Sequence, residues 1–136
     1  MNKLYRMTKE EFEKEKILYQ YNDVKYVVMN GAGINTYEQY FNKLWEVFGF
    51  SELPEGWKKD FHTEDDFMTE MDELPNDKYV FIIKNYDEFM VHNQYEKNEI
   101  EDYYENYLLP FWDEEVERVV VEGKRKDFNI YLVSNS

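Results

Sequence analysis

The sequence element that most restricts the fold is Tyr79–Ile83, whose letters YVFII form an uninterrupted apolar run between polar turns. A short run of this kind, without polar alternation, is typical of a strand inside a parallel sheet, where both faces are buried. A second run, Tyr26–Met29, ends at an Asn-Gly pair and predicts another buried strand. Alternating apolar residues in Phe128–Val133 predict a third.

Helix signals separate these strands. Thr8 and Thr36 each begin a capping-box sequence, with Glu or Gln three residues later. The second box opens an amphipathic helix that Gly49 is expected to end, and the first opens a short helix. Further helical segments are expected between residues 86 and 109, and a last helix from Pro110 to Gly123.

Strands separated by helices predict an α/β fold with a small parallel sheet of about three strands, packed with helices. Two local predictions complete this fold. Ile17–Tyr21 and Val24–Val28 flank Asn-Asp and are expected to form a hairpin. A short acidic helix is expected to begin at Thr63 and to end before Pro75.

The charge of the chain is high and clustered. It has 30 acidic and 16 basic residues, for a formal net charge of −14. Residues 60–77 and 99–117 each contain eight acids and no Lys or Arg, whereas the first 25 residues carry six basic and five acidic residues. Such a field attracts basic proteins and repels nucleic acid and anionic lipid. We therefore expect a basic protein partner, and neither direct nucleic-acid binding nor membrane binding.

Composition also bears on compartment. The chain has no cysteine, no apolar run near the roughly 20 residues that a membrane span needs, and no apolar core in its first residues that would serve as a secretion signal. Aromatic residues make up 19% of the sequence, far more than a disordered acidic tail would carry. These features favour a folded cytoplasmic protein.

No motif indicates catalysis, a cofactor or a metal. Gly31-Ala32-Gly33 follows a strand, but Thr36 occupies the position of the third glycine of a dinucleotide loop. His62 and His92 have no second ligand at zinc spacing. The carboxylates near residue 70 lack calcium-loop spacing and are more typical of a solvated helix face (Asp65, Asp66, Glu70 and Asp72). We expect a protein that is not an enzyme.

The order of VVMNGAGI, an amphipathic helix, a proline-containing loop, an acidic helix, YVFII, further helices and NIYLVS resembles the barstar family of ribonuclease inhibitors. The resemblance covers roughly residues 26–134. It implies that residues 26–136 form a barstar-like domain, and that residues 1–25 are an N-terminal extension that adds a strand to the sheet edge or simply covers it.

The resemblance also implies a site. Members of the family plug the active site of a small basic ribonuclease with aromatic and carboxylate groups, and the matching segment here is Asp60–Asp72. Asp65 matches the first of the family's two inhibitory aspartates, and Thr69 stands at the second. The family's later glutamate falls at Arg118, with Glu114 one turn earlier as the alternative. The predicted partner-binding residues are Trp57, Asp60, Phe61, Asp65, Asp66, Thr69, Asp72 and Glu114.

Three functions compete at this point. The first is an inhibitor or immunity protein for a secreted or delivered ribonuclease toxin. The second is an acidic mimic of nucleic acid that binds another DNA- or RNA-handling protein through charge alone. The third is an enzyme with a carboxylate-held metal around residues 64–72, and it ranks last. For each of the aromatic residues, packing in the core or a loop is the competing interpretation.

Overall fold

A four-stranded parallel sheet organises the computed structural model, which describes residues 1–136. The strands are β1 (Leu4–Thr8), β2 (Lys25–Asn30), β3 (Lys78–Lys84) and β4 (Asp127–Ser134). Their order across the sheet is β1-β4-β3-β2, and every neighbouring pair is parallel. The α/β class and the three strands predicted from apolar runs are confirmed.

The predicted number of strands, about three, is too low by one because the N-terminal segment contributes β1. This strand pairs with β4 in a register that aligns Leu4 with Ile130 and Thr8 with Ser134. The predicted hairpin is wrong, because β2 pairs in parallel with β3 and residues 17–21 form no strand. Tyr19 has a left-handed backbone (φ 61°), and Ile17 packs against the sheet instead of pairing with it.

The helices are α1 (Lys9–Lys14), α2 (Tyr37–Phe48), α3 (Phe61–Met68), α4 (Gln94–Tyr103) and α5 (Val116–Val119). Thr8 and Thr36 form the predicted capping boxes, in which each side chain accepts the N–H of the residue three positions later. Gly49 ends α2 in the left-handed conformation (φ 69°), as predicted. Local sequence therefore determines both ends of α2.

Helix α3 begins earlier and ends earlier than predicted. Asp60 is its N-cap, because the Asp60 carboxylate accepts the N–H of Thr63 at 3.0 Å. Thr63 is therefore inside the first turn and does not start the helix. The helix ends at Met68, and non-helical turns lead to the buried Leu74.

The last helical segment is also shorter than predicted. After α4 the chain continues through two π-helical turns, Tyr104–Leu108 and Phe111–Glu115, on either side of Pro110, which has no N–H to donate. Helix α5 then ends at Val119, which is 63% exposed instead of buried as its predicted apolar stripe required. Gly123 is needed for close packing, since a Cβ there would lie 2.1 Å from the Val116 carbonyl oxygen.

The two faces of the sheet support cores of different size. One face, which we call the helical face, carries α2 to α5 and a cluster of 23 buried residues that includes Met29, Phe81 and Trp112. On the other face the buried cluster has only three residues, Phe12 of α1, Ile82 and Val133. None of the helices has the length and apolar character needed to cross a membrane.

Candidate protein-binding groove

Helix α3 directs one side of its surface into the helical-face core and the other toward α4. Glu64, Phe67 and Met68 are buried at spacings of three and four residues, which place them on one side of a helix. Asp65 and Asp66, next to them in sequence, are only partly buried. The helix is therefore amphipathic, but its buried side includes a carboxylate.

The buried carboxylate belongs to Glu64, whose residue surface is 0% exposed. It accepts hydrogen bonds from the hydroxyls of Tyr37 and Tyr40 of α2, each at 2.7 Å. The Tyr40 hydroxyl also lies 2.5 Å from that of Tyr104, at the start of the first π-helical turn. No Lys, Arg or His forms an ion pair with Glu64.

This arrangement changes the acidity of Glu64. Burial raises its pKa to about 7, although the two tyrosine hydroxyls act in the opposite direction by stabilising the charged form. Burial also raises the pKa of Tyr40 and of Tyr104 well above the usual tyrosine value, so both hydroxyls keep their protons. The network thus ties α2, α3 and the segment after α4 together through polar groups inside the core.

Beside this network, α3 and α4 form the walls of an open groove of about 400 Å³. We call it the α3–α4 groove, and its lining residues are Phe61, His62, Asp65, Glu99, Asp102, Tyr103 and Tyr107. Three of these are carboxylates and three are aromatic. A surface that combines aromatic rings with carboxylates suits the guanidinium or ammonium group of a basic side chain.

Asp65 is held in position within the groove. The Tyr103 hydroxyl donates a hydrogen bond of 2.9 Å to its carboxylate. Burial raises the pKa of Asp65, and the Tyr103 hydroxyl counteracts this effect. Burial also keeps the pKa of Tyr103 well above its usual value, so the hydroxyl stays a donor. A partly desolvated and oriented carboxylate binds a cation more strongly than a free surface carboxylate does.

Aromatic packing supports the walls of the groove. The Phe61 ring lies 4.6 Å from the ring of Tyr37 and 6.3 Å from that of Tyr103, measured between ring centroids. Tyr103 stacks in parallel with Tyr107 at 6.5 Å. Tyr107 is 62% exposed, so its ring is available to a partner. Rigid aromatic rings of this kind are frequent anchors at protein interfaces.

The other predicted residues lie at different distances from the groove. Asp60 caps α3, and the hydroxyl of Thr69 donates to the main-chain oxygen of Asp65 at 2.6 Å. Asp66 lies 3.8 Å from His62. Trp57 is 45% exposed, and the edge of its ring packs against Phe67.

Two predicted residues line other depressions. Asp72 lies with Lys25 and Pro75, and Glu114 lies with the N-terminal residues and Arg125. Of the eight predicted partner-binding residues, the groove therefore brings together Phe61 and Asp65.

Sequence reasoning missed Glu64, Glu99, Asp102, Tyr103 and Tyr107 as site residues. Glu64 would have been found if Asp60 had been taken as the cap, because Glu64 then falls on the buried side with Phe67. The groove residues of α4 follow a helical spacing, with Glu99 and Asp102 three residues apart and two tyrosines four apart. This spacing lies within a segment whose helical phase is weak in the sequence.

No protein-family model matches the chain, and no characterised protein or solved structure shows significant similarity to it. No three His, Asp or Glu side chains lie together in an arrangement that could hold a metal ion. The groove and the charge around it are therefore the basis for a functional assignment.

Proposed function

We propose that this protein is a barstar-like inhibitor or immunity protein, which binds a basic ribonuclease toxin through the α3–α4 groove and blocks the toxin's active site. The observation that carries the proposal is the oriented, half-buried Asp65, held by Tyr103 between aromatic walls. In this proposal the protein is not an enzyme, and it meets its partner in the cytoplasm.

The chemistry of the groove supports this function. A ribonuclease active site presents Arg and Lys side chains where RNA phosphates bind. The carboxylates of Asp65, Glu99 and Asp102 would occupy the positions of those phosphates, and exclusion of water by the aromatic rings would strengthen each ion pair. The acidic stretches 60–77 and 99–117 supply helices α3 and α4, so the same field accelerates association.

The fold is compatible with the family. In the proposed correspondence, β2, β3 and β4 with their helices form the barstar-like unit, and β1 is an addition at the sheet edge. The helix that carries Asp65 follows the first long helix, as the family requires. Thr69, at the second family position, uses its hydroxyl within α3, so Glu99 and Asp102 take over the second negative charge in this proposal.

Calorimetric titration with a small basic ribonuclease of the barnase type, together with an RNA cleavage assay, tests the proposal. We expect one-to-one binding that abolishes cleavage. Asp65→Asn should weaken binding about thirtyfold or more, because loss of one partner from a desolvated charge pair costs about 2–5 kcal/mol. Asp72→Asn is the matched control, since it removes one charge from the same acidic run outside the groove. Catalysis by the protein itself, or no binding at low salt, would refute the proposal.

The same experiment separates the second candidate, an acidic mimic of nucleic acid. This alternative is favoured by the formal net charge of −14 and by the two runs without Lys or Arg. A mimic that acts through charge alone would lose similar affinity in Asp65→Asn and in Asp72→Asn. It would also tolerate Phe61→Ala, whereas a groove that holds a partner side chain would not.

A further inference from the structure

The face of the sheet opposite the helical layer carries a cluster of tyrosines, which we call the tyrosine face: Tyr5, Tyr19, Tyr21, Tyr26 and Tyr131. Tyr5 of β1 stacks on Tyr131 of β4 with ring centroids 4.7 Å apart. Tyr19 packs edge-to-face on Tyr26 of β2 at 5.4 Å, and the Tyr26 hydroxyl accepts the N–H of Tyr21 at 3.0 Å. The tyrosines thus extend over three strands.

This face is incompletely covered. Its only helix is α1, six residues long, whose Phe12 packs on Ile82 and Val133. Tyr5, Tyr19 and Tyr21 are 36%, 72% and 59% exposed, and Val28 and Val80 between them are only partly buried. All-parallel sheets are almost always covered on both faces. An exposed patch of this kind indicates an interaction surface.

Charge identifies which partner this face can accept. The first 25 residues, which supply Tyr5, Tyr19, Tyr21 and α1, carry six basic and five acidic residues, although the chain as a whole has a net charge of −14. At the rim, Lys78 and Asp23 neutralise each other in an ion pair of 2.8 Å. Two copies of this acidic chain would repel each other through their helical layers, but not through this nearly neutral face.

We propose that the tyrosine face is the interface of a homodimer, in which two copies pack sheet against sheet about a two-fold axis. Tyrosine supplies large contact area with little loss of side-chain freedom, and its hydroxyl tolerates a partly wet interface. A two-fold interface uses the same patch on both subunits. The groove between α3 and α4 lies on the opposite side of each sheet, so the dimer leaves both grooves open to partners.

Sedimentation velocity of the full chain, from micromolar to millimolar concentration, tests the dimer. We expect a species of twice the chain mass whose population rises with concentration. Tyr5→Asp and Tyr21→Asp each place a charge in the interface, where the two-fold axis brings it near its own copy, and each should weaken dimerisation about tenfold or more. Tyr95→Asp is the matched control, because Tyr95 is 73% exposed on α4 in the helical layer.

Circular dichroism of each variant shows whether the fold is kept, and Tyr21→Asp, in a loop outside the sheet, is informative even if Tyr5→Asp unfolds. A wild-type chain that stays monomeric at every concentration would overturn the proposal. A dimer that survives Tyr21→Asp, or that Tyr95→Asp disrupts equally, would overturn it as well. Ribonuclease binding is measured separately at the α3–α4 groove, so failure of either proposal leaves the other to its own test.

Discussion

The helical face and the tyrosine face of the sheet are covered in different ways. The helical face supports 23 buried residues and contains a buried carboxylate bonded to tyrosines, whereas the tyrosine face supports three buried residues beneath α1. Both faces are rich in tyrosine, but the tyrosines differ in position. Tyr40 and Tyr104 bond inside the core, whereas Tyr19 and Tyr21 are exposed to solvent.

This difference separates stability from recognition. The helical face is thick enough to satisfy polar groups internally, and it therefore can orient Asp65 at its surface through Tyr103. The opposite face has too little cover to do so, and its tyrosines remain available for association. We expect substitutions in the helical layer to change the free energy of unfolding most.

The largest expected effect comes from one pair of neighbouring residues. Ile82 and Ile83 are both 0% exposed in β3, but Ile83 points into the helical-face cluster and Ile82 into the small cluster under α1. Ile83→Ala should lower the free energy of unfolding by about 4 kcal/mol, because the surrounding core cannot collapse into the cavity. Ile82→Ala should lower it by about 2 kcal/mol, since α1 can move inward. Urea denaturation measures both.

Equal losses for Ile82→Ala and Ile83→Ala would show that α1 packs as rigidly as the helical layer does. The comparison is closely matched, since residue type, strand and exposure are the same. A dimer through the tyrosine face would add to the effect of Ile82→Ala only if α1 shifted the interface. Denaturation at two protein concentrations separates this contribution.

The next effect concerns Glu64 and pH. Its pKa is about 7 in the folded protein against 4.5 for a free glutamate, so the folded chain keeps a proton that the unfolded chain releases. Stability from this group is therefore full below about pH 4.5, decreases as pH rises, and is lost above about pH 7. Glu64→Gln should remove about 3 kcal/mol of pH dependence between these limits.

The measurement is the difference in the free energy of unfolding between wild type and Glu64→Gln from pH 4.5 to 7.5, which cancels the other carboxylates. Glu38→Gln, on the exposed side of α2, is the control and should follow the wild-type profile. If Glu64→Gln also followed that profile, Glu64 would be ionised throughout the range, and the tyrosine hydroxyls would outweigh burial.

The smallest effect compares two equivalent caps. Thr8 and Thr36 form the same capping box, one on α1 and the other on α2. Each Thr→Ala substitution should lower the free energy of unfolding by about 1 kcal/mol. Hydrogen exchange should differ, however, because the short α1 depends on its cap and α2 is held by the core. Faster exchange across residues 9–14 in Thr8→Ala, with no matching change in α2 of Thr36→Ala, is the expected result.

Much of the fold could be predicted because its signals are local. Apolar runs identified β2, β3 and β4, and capping boxes with Gly49 fixed α1 and α2. The errors came from non-local effects. The hairpin failed because β2 finds its partner in β3, more than 50 residues later, and β1 has no apolar run that distinguishes it from a loop.

The site could be predicted only in part for the same reason. Asp65 and Phe61 were found from their place in one segment, and they do lie together in the α3–α4 groove. Tyr103, which orients Asp65, is 38 residues away, and the partners of Glu64 lie on two other helical segments. No spacing in the sequence announces such contacts, because they depend on how helices pack.

The pairing of β1 with β4 also determines how the molecule responds to force. The first and last strands are parallel neighbours with five aligned residue pairs, from Leu4 with Ile130 to Thr8 with Ser134. Tension applied between the two ends of the chain therefore pulls these strands along their length in opposite directions. Their backbone hydrogen bonds are loaded together in shear rather than opened one at a time, so the small N-terminal strand acts as a mechanical clamp on the sheet.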